Sequence, residues 1–115
     1  MPAVRPMSTE AVLRKHLSAA TVGVDALIED YTDQSVLITH DATYRGIAEI
    51  RRFFAGLLES LPVGFFETMR MRREEITGEL AYILWDREPF ISQATDTFVV
   101  RNGKILFQTF TAVTE

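Results

Sequence analysis

An aspartate at position 96 and a histidine at position 16 have side chains suited to proton chemistry, in places where packing alone does not call for them. The segment Gln93-Ala94-Thr95-Asp96-Thr97-Phe98-Val99-Val100-Arg101 alternates as a strand, and Asn102-Gly103 is a hairpin signal that ends it. Ala94, Phe98 and Val100 share one face, and Asp96 is in phase with them. A carboxylate turned into an apolar interior must be paired, neutralised or hydrated, and each costs free energy. Two readings follow. Asp96 either binds a donor inside the fold, or forms the floor of a small-molecule pocket with a carboxyl group ready to give or take a proton. His16 lies beside the apolar stripe of a helix, where it is either a half-buried, hydrogen-bonded residue or a helper to that carboxyl.

Other chemistries find no support. Two histidines without cysteines make a poor metal set, and no thiol nucleophile or disulfide exists. No glycine-rich phosphate loop, serine elbow or dinucleotide fingerprint occurs, so no cofactor is expected. The net charge of -4 argues against a nucleic-acid partner, which needs a basic surface to displace counterions. The cluster Arg70-Met71-Arg72-Arg73 is expected to alternate across a strand and form a solvated or interface face. No stretch approaches a membrane span, and the start has no signal-like apolar run, which together point to a cytoplasmic protein.

The elements that position Asp96 follow from periodicity. At 115 residues and 47% hydrophobic, the chain is expected to be one domain over residues 8–115, with a loose arm over 1–7. Ser8 caps a helix carrying Leu13, Leu17 and Ala20, which Gly23 ends. Asp25 caps a short second helix through Tyr31, and Ser35 to His40 is a strand. Gly46 opens the strongest helix, with Ile47, Ile50, Phe53, Phe54, Leu57, Leu58 and Leu61 on one face; Pro62 and Gly64 stop it. Strands then run from Phe66 to Ile76, Leu80 to Glu88, through Asp96 to Arg101, and from Lys104 to about Val113. Helices first and an antiparallel meander last make an α+β fold. The strand from Leu80 is apolar in both phases, so its outer residues Leu80, Tyr82 and Leu84 call for a cover, and a second subunit is the economical one.

This order of elements resembles the SnoaL-like branch of the nuclear transport factor 2-like superfamily. Three stretches carry the resemblance: Gly23 to Val36, Tyr44-Arg45-Gly46-Ile47-Ala48-Glu49-Ile50-Arg51-Arg52-Phe53-Phe54, and Asp96 to Ile105. The resemblance implies a cone-shaped curved antiparallel sheet wrapped around a long helix, a pocket between them, and a homodimer through the outer sheet face. Against the ketosteroid isomerases of that superfamily, Asp96 takes the place of the protonated aspartic acid, a carboxyl kept neutral so that it can donate a hydrogen bond. Lys15 stands where the oxyanion-hole tyrosine stands, Tyr31 on a matching tyrosine, and Phe54 in place of another pocket tyrosine. Thr39 replaces the catalytic base, and a threonine hydroxyl cannot abstract a carbon-bound proton at neutral pH, so steroid isomerisation by that mechanism is not expected. SnoaL cyclases, which use an aspartate acid/base without a metal, are closer.

Two function classes remain. One is a cofactor-independent isomerase, cyclase or hydratase for a small hydrophobic carbonyl compound, with Asp96 as acid and His16 as helper. The other is a non-catalytic ligand-binding or interaction module. In either case Lys15, Tyr31, Thr39, Phe54, Trp85, Phe98 and Phe110 are the expected pocket residues. If aromatic residues surround Asp96 without a cation, desolvation should raise its pKa; if Lys15 bends inward, the shift should reverse.

Overall fold

The computed structural model describes residues 6–114, and helices α1 (Thr9–Ala19), α2 (Val24–Ile28) and α3 (Gly46–Ser60) lie on one face of a six-stranded sheet. The strands are β1 (Tyr31–Thr39), β2 (Thr43–Arg45), β3 (Arg70–Thr77), β4 (Leu80–Arg87), β5 (Ile91–Arg101) and β6 (Lys104–Thr114), in the spatial order β2-β1-β6-β5-β4-β3. The expected helices-then-meander layout is present. The sheet, however, is mixed, because β1 pairs with β6 in parallel. Helix α3 lies between β1 and the meander in sequence, so the last strand returns to β1 from the far side of a long excursion. Alternation within one strand carries no information about a partner so distant.

Local chemistry sets the element ends. Ser8 caps α1 as expected, its hydroxyl accepting from the Ala11 N–H at 3.1 Å. The helix stops at Ala19 rather than at Gly23, which instead serves as N-cap to α2. That second helix is shorter than its reading through Tyr31, because Tyr31 already belongs to β1. Strand β1 begins four residues earlier than the apolar run, with a bulge between Tyr31 and Val36 held by the Ser35 hydroxyl, which accepts from Thr32 N–H and donates to the Ile105 carbonyl. The short edge strand β2 carries no apolar pattern, so nothing in the sequence marks it.

The stretch from Phe66 to Ile76 is not one strand. Phe66–Thr68 is a 3-10 turn, and the strand starts at Arg70. Phe65, whose ring is buried, and Phe66 pack against Trp85, which draws the chain inward before β3 begins. A bulge between Met71 and Arg73 then breaks the two-residue phase, and residues 70–73 are all exposed, Met71 among them. Asn102 and Gly103, with φ of 53° and 75°, form the β5–β6 turn that their order signals. Of the arm read over residues 1–7, residues 1–5 lie outside those described. Pro6 and Met7 run alongside this turn: a Cβ on Gly103 would sit 3.3 Å from the Met7 nitrogen.

The core fills the concave side of the sheet. Ile50 and Phe54 of α3 are buried against it, while Ile47, Phe53, Leu57 and Leu58 are partly buried. In β4 the inner set Ala81, Ile83 and Trp85 is buried, and the outer set grades from exposed Leu80 to half-buried Tyr82 and Leu84. No helix among the described residues is long and apolar enough to cross a membrane.

Candidate functional site

Strand register builds the centre of the site. Asp96 lies opposite Ile83 on β4 and opposite Phe110 on β6, so Trp85 and Gln108 are its diagonal neighbours on the same inner face. Both reach it. Trp85 Nε1 donates to one carboxyl oxygen at 2.9 Å, and Gln108 Nε2 donates to the other at 2.9 Å. The Gln108 oxygen in turn accepts from the Tyr31 hydroxyl. Burial pushes the Asp96 carboxyl above the ordinary aspartate range, although these two donors and the nearby His16 pull it down. Burial, and then the Asp96 and Asp30 carboxyls, push the Tyr31 phenol well above its usual value, so Tyr31 is a neutral donor.

A second polar group faces the first. His16 is 6% exposed, and its Nδ1 lies 3.3 Å from Asp30, itself 2% exposed at the junction of α2 and β1. Lys15 Nζ binds the other Asp30 oxygen at 2.8 Å. Burial alone would raise Asp30, but the hydrogen bonds from His16 and Lys15 outweigh it and hold the carboxyl below its ordinary value. An ionised Asp30 accepts the Nδ1 proton, which leaves the His16 Nε2 as the nitrogen available to the cavity that the ring borders. Edge contacts with Tyr31, Phe54 and Phe98 hold the ring plane.

Between them is a cavity of about 60 Å³ under α1 and α3. His16, Asp96 and Gln108 are its polar residues, grouped on α1, β5 and β6; the remaining wall is apolar or aromatic, including Phe53, Leu57 and Phe66. Water needs about 10–15 Å³ of such space, so the cavity suits a few waters or a small organic molecule. Among the described residues no cluster of metal-ligating side chains occurs.

The residues singled out from sequence divide into two groups. His16, Phe54, Trp85, Asp96, Phe98 and Phe110 all border the cavity. Lys15, Tyr31 and Thr39 do not. Lys15 turns to Asp30, so the inward swing toward Asp96 does not occur. Tyr31 stands behind Gln108. Thr39 closes the β1–β2 turn, its hydroxyl accepting from the Asp41 and Ala42 N–H groups. In that turn His40 is exposed and pairs with Asp41. Sequence reasoning passed over Gln108 and Asp30. Gln108 carries the same signal as Asp96, a polar residue in phase with Phe110 and Ala112 on one strand face. Asp30 has no comparable signal, because its partner His16 is fourteen residues away across a helix end.

No family model matches the chain, and no curated protein matches it. Solved structures do. A proposed polyketide cyclase from Sinorhizobium meliloti superposes with a TM-score of 0.70 at 18% identity, over 86% of this chain and 92% of that one. A proposed isomerase of the SnoaL-like family from Agrobacterium tumefaciens gives 0.68 at 10% identity, over 91% and 97%. A de novo designed protein with a curved β-sheet gives 0.73 at 15% identity, over 91% and 84%. The fold is thus the α+β cone of the nuclear transport factor 2-like kind expected from the sequence. That a designed chain shares it underlines that the fold sets no chemistry, and the site must carry the functional argument.

Proposed function

We propose that this chain is a cofactor-independent acid–base enzyme for a small, largely apolar carbonyl compound. The observation that carries the reading is that two proton-handling groups, His16 and Asp96, border one otherwise apolar cavity. On a β,γ-unsaturated substrate, His16 Nε2 takes a proton from the carbon next to the carbonyl as Asp96 gives its proton to the carbonyl oxygen, leaving a dienol. Return of the proton from His16 to the γ-carbon, and of the oxygen-bound proton to Asp96, re-forms the carbonyl with the double bond moved into conjugation and no net proton change. Asp30 supports this by holding the Nδ1–H, much as a buried carboxylate orients a catalytic imidazole elsewhere. His16 on α1, rather than Thr39, supplies the base.

A second reading has its own support. Each Asp96 oxygen already has a protein donor, and 60 Å³ is small beside the 300–1,000 Å³ of drug-sized sites. Such a cavity suits a non-catalytic module that binds a small ligand. Proton NMR in deuterated buffer separates the two, using a panel of small ketones and enones. The enzyme reading expects exchange of α-protons above the buffer rate, abolished in His16→Ala and reduced at least tenfold in Asp96→Ala. Compounds that perturb Trp85 fluorescence yet exchange no faster than in buffer would establish the binding module instead.

We further propose that the outer sheet face pairs with a second copy of the chain. Register aligns Leu80, Val99, Phe107 and Val36 in one apolar row across β4, β5, β6 and β1. Their neighbours on β4 and β5, Tyr82, Leu84, Thr95 and Thr97, carry no charge. A residue near a two-fold axis meets its own copy, so an uncharged centre avoids like-charge contacts on self-pairing.

A further inference from the structure

We propose that Tyr31 is a positioning residue for Asp96 that acts through Gln108, its hydroxyl fixing the amide so that Gln108 turns an N–H and not its oxygen toward the carboxyl. The reasoning starts from what each group can do. The indole of Trp85 only donates, so the Asp96 oxygen it binds is committed as an acceptor. The other oxygen meets Gln108, an amide with a donor end and an acceptor end of nearly equal shape. Which end faces Asp96 decides what happens to a proton there.

With N–H inward, both carboxyl oxygens accept from the protein, and a proton on Asp96 finds no acceptor in Trp85 or Gln108. It is left for the cavity, which His16 also borders. With the amide reversed, the Gln108 oxygen would take that proton, and Asp96 would be a poor donor to a ligand. Tyr31 selects between them. Its hydroxyl donates to the Gln108 oxygen behind the cavity wall, and its phenol stays protonated. Reversal would set an amide N–H against that hydroxyl and leave the phenolic proton without its acceptor.

The groups around Asp96 are few. His16 borders the same cavity from α1, and Tyr31 of β1 stands behind Gln108. Strand β4 presents Ile83 and Trp85, β6 presents Gln108 and Phe110, and α3 gives the cavity only apolar side chains. Lys15 and Asp30 are engaged with each other.

The role of Asp96 as a donor to ligand rests on the proposed function, but the test reads the ligand-free protein. Trp85 is the single tryptophan of the chain, so its indole N–H gives one nitrogen-15 resonance that follows Asp96 protonation. Tyr31→Phe frees the amide to reverse and accept from a protonated Asp96. The midpoint seen by the indole should then rise by about 0.5 to 1 pH unit, the worth of one neutral hydrogen bond. Gln108→Leu should also raise it. The double variant should match Gln108→Leu alone, since Tyr31 has nothing left to act through. An unchanged midpoint in Tyr31→Phe, or an equal added rise in the Gln108→Leu background, would overturn the proposal. Wild-type protein offers a check that needs no variant: the Gln108 amide protons should show stronger cross-relaxation to Asp96 Hβ than to the Tyr31 ring, and the reverse would also overturn it. Loss of α-proton exchange with an intact relay would count against the enzyme reading only.

Discussion

Trp85 and Asp96 face inward on adjacent strands, and the indole N–H binds one carboxyl oxygen at 2.9 Å while the Gln108 amide donates to the other. The strongest donors available to Asp96 are therefore neutral. A neutral donor stabilises a buried carboxylate less than a cation does, so desolvation keeps the upper hand and the pKa stays above the ordinary value. Lys15, whose inward swing would have reversed that outcome, binds Asp30 instead.

This sets the sign of a pH effect on stability. In the unfolded chain Asp96 ionises near the reference value of about 3.9, and in the folded chain at a higher pH. Between the two values the folded protein keeps a proton that the unfolded chain has lost. Stability therefore falls as pH rises through this window, and stays lower above it. Asp96→Asn removes the titration. Its melting temperature relative to wild type should become more favourable from pH 4 to pH 8, measured calorimetrically. A relative melting temperature that is constant or moves the other way would show that Asp96 is ionised in the fold at no cost.

Asp30 behaves oppositely. Its folded pKa is depressed, so its contribution is present above the unfolded value and is lost as pH falls through the folded one. Asp30→Ala removes two charge-assisted hydrogen bonds at a buried site, one of them to a half-exposed lysine. It should cost about 2 kcal/mol at pH 7 by urea unfolding, shrinking toward zero near the acid end. The variant also frees the His16 ring. Long-range proton–nitrogen spectra should show the neutral wild-type ring protonated at Nδ1, and a mixture of tautomers in Asp30→Ala. An unchanged tautomer would remove Asp30 from the site.

How much of this was legible depended on distance along the chain. Asp96, Phe98 and the Asn102-Gly103 turn declared themselves because a strand has a period of two and a polar residue in the apolar phase stands out. Gln108 obeys the same rule and could have been read the same way, but a neutral amide in a threonine-rich strand draws less notice than a carboxylate. Asp30 could not. Its burial depends on α1 crossing the α2–β1 junction, a tertiary fact with no local period. Aligning Lys15, Tyr31 and Thr39 with isomerase pocket positions identified residues near the site without their orientation. Lys15 is drawn aside by Asp30, Tyr31 by Gln108, and Thr39 by the backbone of its own turn. The 3-10 turn at Phe66–Thr68 escaped for a related reason: its aromatics satisfy a strand pattern and a cavity wall equally well.

The outer sheet face makes the last prediction. Phe107 is 46% exposed in the apolar row between Val99 on β5 and Val36 on β1, with Leu80 at 41% beyond Val99 on β4. An exposed apolar row of this kind on four adjacent strands is a liability for a lone chain and an asset for a pair. Stable interfaces bury about 1,200–2,000 Å² in total, and each Å² of apolar surface contributes about 25 cal/mol before the cost of association. Sedimentation at tens of micromolar should therefore show a dimer for the wild type. Phe107→Lys places two ammonium groups near the two-fold axis and should give a monomer at the same concentration, with native circular dichroism retained. Val63→Lys, at a fully exposed position in the loop after α3, is the control and should remain dimeric. A monomeric wild type, or a Phe107→Lys variant that sediments as wild type does, would exclude this face as the interface and leave the row as ordinary exposed surface.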